Sequence, residues 1–124
     1  MSPYCHIDPE KLLLVLDGDI GAFRKLSTMY LTIAPAMLAK LEAAIARGEA
    51  RAIAVAAHAL HGATVLIGAD QLSAVLTDFE RQAGVADWRP RAPDMAHLHR
   101  LYAAVAGEVS DSLVHFNSRQ AQAG

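Results

Sequence analysis

The chain has 124 residues, net charge −2 with histidine neutral, and 53% hydrophobic residues of which few are aromatic. That length suits one domain able to bury roughly two-thirds of its unfolded surface without staples, and a pI near 6.3 gives no electrostatic case for nucleic acid. A single cysteine, Cys5, excludes an internal disulfide framework and any Cys-based zinc finger.

The elements follow from caps and periodicity. Asp8-Pro9-Glu10 predicts a helix start, with Asp as N-cap and Pro at the first helical position. A short helix through Leu12, Leu13 and Leu16 ends near Asp17-Gly18, and a second start follows at Asp19. Apolar residues then recur at Ile20, Phe23, Leu26, Tyr30, Met37, Leu38, Leu41 and Ile45, a helical stripe of about seven turns. Pro35 lies inside it, where it either kinks one helix or separates two; the stripe stays in phase across it, which favours one kinked helix. A third helix runs from about Ala50 to Leu66, with Ile53, Ala56, Ala57, Leu60, Thr64 and Ile67 toward the core and Gly68 as its C-cap. A fourth runs from about Asp70 to Ala83 through Leu72, Val75, Leu76 and Phe79. Residues 84–93 form a loop holding Trp88. A last helix runs from about Asp94 to Phe116 through Leu98, Leu101, Tyr102, Val105, Val109 and Leu113, and a polar tail follows from Asn117.

Four long amphipathic helices with short connections predict an all-α, antiparallel four-helix bundle, with the short first helix as an extra N-terminal cap. Ala supplies 25 residues, which suits close helix packing. No unbroken apolar run approaches the ~18 residues of a membrane span; Ala52 to Ala57 is the longest tidy one. The N-terminus lacks the basic start and apolar core of a signal peptide, so a soluble cytoplasmic domain with no membrane partner is expected. Cys5 and His6 are expected in a loose N-terminal segment.

The third helix carries Ala57-His58-Ala59-Leu60-His61-Gly62. At 100° per residue, His61 lies about 60° from His58 and Gly62 about 40°. Arg51, Ala54, Val55 and Val65 fall on the same side, away from the apolar stripe. Gly62 is costly inside a helix in a chain that otherwise uses Ala. Either a ligand or partner must approach the backbone there, or another helix packs tightly against it; helix geometry leaves both open.

This run resembles the signature of the histidine-containing phosphotransfer (HPt) family: Ala-His-x-Leu-Lys-Gly, a small-residue stretch, then Leu/Ile-Gly-Ala. Here the matching residues are Ala57-His58-Ala59-Leu60-His61-Gly62, Ala63-Thr64 and Ile67-Gly68-Ala69. Leu72 and Glu80 fall where that family usually has an apolar residue and an acid, and Gly48-Glu49 resembles its turn before the histidine helix. The resemblance extends over roughly residues 8 to 116. It implies that His58 accepts a phosphoryl group from a receiver-domain aspartate and passes it to another receiver. The partners implied are receiver domains of a hybrid sensor histidine kinase and of response regulators, which bring their own Mg²⁺. No cofactor or metal of this chain's own is implied, and a monomer is expected. His61 and Gly62 would support the phosphohistidine. Arg51, Ala54, Val55 and Val65 are candidates for receiver docking.

One departure is plain: His61 stands where the family has Lys, so a partly protonated imidazole replaces a permanent cation. This leaves the alternative of a degenerate bundle that docks receivers without carrying phosphate. A metal site on His58 and His61 is a further alternative, disfavoured because this chain has no Glu-x-x-His pair and Asp94-x-x-His97 is the nearest substitute. On its own terms Glu80 reads as a solvated helix residue. His97, His99 and His115 read as surface or helix-end residues. No phosphate loop, nucleophile elbow or kinase glycine loop is present, so the phosphate has to come from another protein and the chain is expected to be a carrier rather than an enzyme. Met1 and the polar tail suggest a free-standing chain.

Overall fold

The computed structural model describes residues 4–85 and 88–123, with side chains described as far as residue 115. Five helices follow in order: α1 (Pro9–Val15), α2 (Ile20–Arg47), α3 (Ala50–Leu66), α4 (Asp70–Gln82) and α5 (Ala92–Ala123). The described residues contain no strand.

The helix starts use the expected chemistry. The Asp8 carboxylate accepts the Lys11 N–H at 3.0 Å and the Asp19 carboxylate accepts the Ala22 N–H at 3.0 Å, satisfying amide donors that a helix start leaves free. α2 is one continuous helix with Pro35 inside it. Pro35 lies on an exposed face, where the carbonyl that loses its amide partner is not sealed inside the core. α2 ends at Gly48, with φ +68°, a left-handed position that suits glycine. The α3 cap falls one residue earlier than expected, at Ile67, and Gly68 follows with φ +72°. A methyl group on Gly68 would stand 3.1 Å from the Asp8 amide nitrogen, so the α3–α4 turn sits hard against the segment entering α1.

Among the four long helices, α2, α3, α4 and α5 each pack on two of the others, and the α2–α5 contact closes the ring. Short turns make consecutive helices antiparallel. The core combines Tyr30 and Leu41 of α2, Ile53 and Leu60 of α3, Leu72 and Leu76 of α4, and Leu98 and Val105 of α5. Alanines at 34, 44 and 57 are fully enclosed and let the backbones approach. One buried polar link, Tyr30 Oη to Thr64 Oγ1 at 3.2 Å, ties α2 to α3. Burial pushes the Tyr30 phenol up to about 12, against a smaller opposing effect of that hydrogen bond. Leu12, Leu13 and Phe23 make a separate small core under α1.

α2 is long and apolar enough to cross a membrane by length and composition, with a mean hydropathy of 1.3 over 18 residues, of which 28% are buried. Ser27, Thr28, Thr32 and Lys40 interrupt its apolar runs. Its buried stripe from Phe23 to Ala44 packs within the bundle.

Three expectations change. α5 starts at Ala92, two residues early, with the Asp94 carboxylate accepting the Arg91 N–H at 2.8 Å. Its helix continues to Ala123, past the expected end at Phe116. The side chain of Phe116, the last expected core residue, lies outside the described residues. The N-terminal segment is not loose where it is described. The His6 N–H donates to Glu108 Oε1 at 2.8 Å, the His6 ring Nδ1 lies 2.5 Å from Glu108 Oε2, and the Tyr4 hydroxyl donates to Asp111 at 3.0 Å. The neighbouring Ile7 is buried in the main core. Periodicity could not show these contacts, because the partners stand more than a hundred positions away along the chain.

Candidate functional site

His58 stands near the middle of α3 with its side chain 72% exposed. Its helical position explains this. Ile53, Ala57, Leu60 and Thr64 are the buried residues of the helix, and His58 lies 100° around from Ala57 on the flank toward α4. Across that flank the Glu80 carboxylate reaches the ring. Glu80 Oε1 lies 3.1 Å and Oε2 3.3 Å from His58 Nδ1.

The height match follows from the α3–α4 hairpin. At 1.5 Å per residue, His58 lies about 15 Å before Gly68 and Glu80 about 18 Å after it. The reading of Glu80 as a solvated helix residue is therefore corrected: it is half-buried and is the hydrogen-bond partner of His58. The missed signal was the hairpin symmetry, since residues at similar distances on either side of a tight turn meet.

This contact decides what the ring can do. An ionised carboxylate only accepts hydrogen bonds. A neutral His58 must then carry its proton on Nδ1, which leaves the Nε2 lone pair on the other side of an exposed ring. The arrangement presents one nucleophilic nitrogen and fixes the tautomer that exposes it.

His61 lies one turn on, half-buried. Its ring centroid is 6.4 Å from that of His58, with 37° between the planes. Gly62 is exposed, and a methyl group built on it would meet nothing within 4 Å. That closes one of the two alternatives for this glycine, because among the described residues no other helix packs against it. The space beside His58 is open toward solvent.

The other expected site residues spread along the same helix. Arg51 is exposed, Ala54 half-buried, and Val55 and Val65 are 63% and 50% exposed. Leu66, at 56%, extends the apolar surface and was not among the expected residues. Exposed valines and a leucine thus lie along the helix that carries the polar centre. Among the described residues, no group of three or more His, Cys, Asp or Glu is placed to hold a metal ion. Asp94 and His97, named as a possible substitute, lie on α5 beside Phe79 and Asp78, away from the His58 flank. His99 faces Glu42 of α2, with Nε2 3.6 Å from Oε1.

A family model, the Hpt domain, matches residues 25–108, a span that holds His58, His61, Gly62 and Glu80. Among solved structures, the fold resembles histidine-containing phosphotransfer protein B from Pseudomonas aeruginosa PAO1, with a TM-score of 0.79 and 20% sequence identity, covering 93% of this chain and 98% of that one. A search of curated protein sequences gives no match. With more than half of its length matched by the family model, and with an exposed histidine on the third helix of an antiparallel bundle, this chain belongs to the Hpt domain family.

Proposed function

We propose that the chain is a phosphocarrier of a multistep His–Asp relay and that His58 Nε2 is the atom that carries the phosphoryl group. The observation behind this reading is the Glu80 contact on Nδ1, which frees Nε2 on an open helix face.

The step balances without further reagents. The Nε2 lone pair attacks the phosphorus of a receiver's aspartyl phosphate. An N–P bond forms, the P–O bond to the aspartate breaks, and the aspartate leaves as a carboxylate. The Nδ1 proton stays on the ring beside Glu80, whose negative charge offsets the positive charge the ring gains. Transfer of this kind rests on positioning and charge stabilisation more than on covalent chemistry by the protein. The bundle contributes a rigid, pre-oriented ring. The receiver contributes the aspartate and its Mg²⁺. Return transfer to a second receiver runs the same step backwards.

In this reading Arg51, Ala54, Val55 and Val65 meet the receiver, and Gly62 leaves room for the phosphoryl group and the incoming backbone. His61 is the supporting group beside it. The donors would be a hybrid sensor kinase's receiver and the acceptor a response regulator in the cytoplasm, with the carrier acting as a monomer that uses no cofactor.

Incubation with a labelled, phosphorylated receiver tests this. Label should reach the wild type and not His58→Gln. Equal labelling of both would remove His58 from the role. Receiver binding with label on neither would leave a docking bundle that carries no phosphate.

A further inference from the structure

A phosphoryl group on His58 Nε2 would add up to two negative charges to a ring whose other nitrogen already faces the Glu80 carboxylate. Among the described residues, the surroundings offer little fixed positive charge in return. On α3 the basic residue is Arg51, about 10 Å away along the helix axis. On α4 the basic residue near Glu80 is Arg81, which is paired with Asp78. On α2, counting outward from the Gly48 turn, Lys40 is the charged residue nearest the height of His58, whereas the Glu80 contact sets His58 on the flank toward α4. The remaining candidate is the His61 ring, on the same flank as His58 and 6.4 Å from it. Imidazole is the side chain whose charge changes near neutral pH.

We propose that loading His58 draws a proton onto His61, so that this carrier's hold on its phosphoryl group depends on pH through His61. The inference rests on the phosphocarrier reading above and adds a regulatory property to it. The sign follows from linkage. An anion beside an imidazole favours the charged ring, so the loaded protein binds more protons than the free one. Protons then favour the loaded state by the same factor, and rising pH favours release of the phosphoryl group to an acceptor. Two groups flanking His58 have distinct tasks: Glu80 holds the ring, and His61 responds to what the ring carries.

The test uses the full chain labelled with ¹⁵N and loaded chemically with phosphoramidate, so that no receiver is needed. The imidazole nitrogens are followed by NMR from about pH 6 to 9, with and without the phosphoryl group. On loading, the His61 midpoint should rise by about one pH unit, while His6, His97, His99 and His115 stay within the error of the titration. In transfer to a receiver, His61→Lys should hold its phosphoryl group with little dependence on pH across neutrality, and His61→Gln should hold it weakly throughout. A His61 midpoint that does not move while His58 is loaded overturns the proposal and leaves the carrier reading intact. Failure of His58 to accept phosphoryl from either phosphoramidate or a receiver overturns the carrier reading, and this proposal with it.

Discussion

At the scale of single residues, two positions beside the His58 ring carry the predictions. Glu80 selects the His58 tautomer, so Glu80→Gln should slow phosphotransfer by about ten- to a hundredfold, the usual cost of losing a partner that orients a reactive imidazole. Stability should change by less than about 0.5 kcal/mol, because the contact lies at the surface. Imidazole NMR separates orientation from mere structure: in Glu80→Gln the neutral ring should carry its proton on Nδ1 in a smaller share of molecules. Gly62 makes the opposite trade. A methyl group there meets nothing in the free protein, so Gly62→Ala should stabilise the bundle by about 0.5–1 kcal/mol in urea denaturation. The same methyl should slow transfer to and from a receiver, since it fills the space beside His58. Unchanged transfer kinetics in a stabilised Gly62→Ala protein would mean that the glycine has no part in docking.

At the scale of elements, the turns carry the constraint. Gly48 and Gly68 both hold positive φ at the ends of α2 and α3. Their surroundings differ. A methyl on Gly48 would press against the flexible Arg89 guanidinium, whereas one on Gly68 would meet Asp8 backbone atoms that cannot swing aside. Both substitutions by Ala incur the left-handed strain of about 1–2 kcal/mol. Gly68→Ala should therefore lose more stability than Gly48→Ala, measured as the shift in urea midpoint at constant slope. It should also lower phosphotransfer, because the α3–α4 turn sets the heights of His58 and Glu80. Equal losses at the two glycines would show that the Asp8 contact yields easily.

At the scale of the whole molecule, the N-terminal segment is fastened to α5 by His6, Tyr4 and their acidic partners. Partial burial tends to raise the Glu108 carboxyl, but the His6 backbone N–H, the His6 ring and the Cys5 N–H together bring it below its ordinary 4.5. A lowered carboxyl contributes stability that is present above pH 4.5 and is lost as pH falls through the folded value. Wild type should thus be more stable than Glu108→Gln near pH 6–7, and the gap should close as the pH drops below 4.5, read from urea midpoints across the acid range. A gap that persists undiminished at pH 3 would assign it to packing. On the alkaline side, burial first and Asp111 second push the Tyr4 phenol up to about 12.

The helices, their order and their caps were legible along the chain, because 3.6-residue periodicity, Asp at an N-cap and Gly at a left-handed end are local properties. So was the placement of His58 off the apolar stripe, which needs only the rotation of one helix. The amino-acid sequence alone therefore determined the bundle and the exposed histidine. It left Glu80 as an acid at a family position with no partner assigned, Gly62 with two meanings and the N-terminus without a partner. Each of these depends on the rotation and height of one helix against another, which the packing of residues such as Leu60, Leu72 and Leu76 sets cooperatively across the core. Tertiary structure decided which nitrogen of His58 is free, for a physical reason: the carboxylate that holds the other one arrives from a different helix.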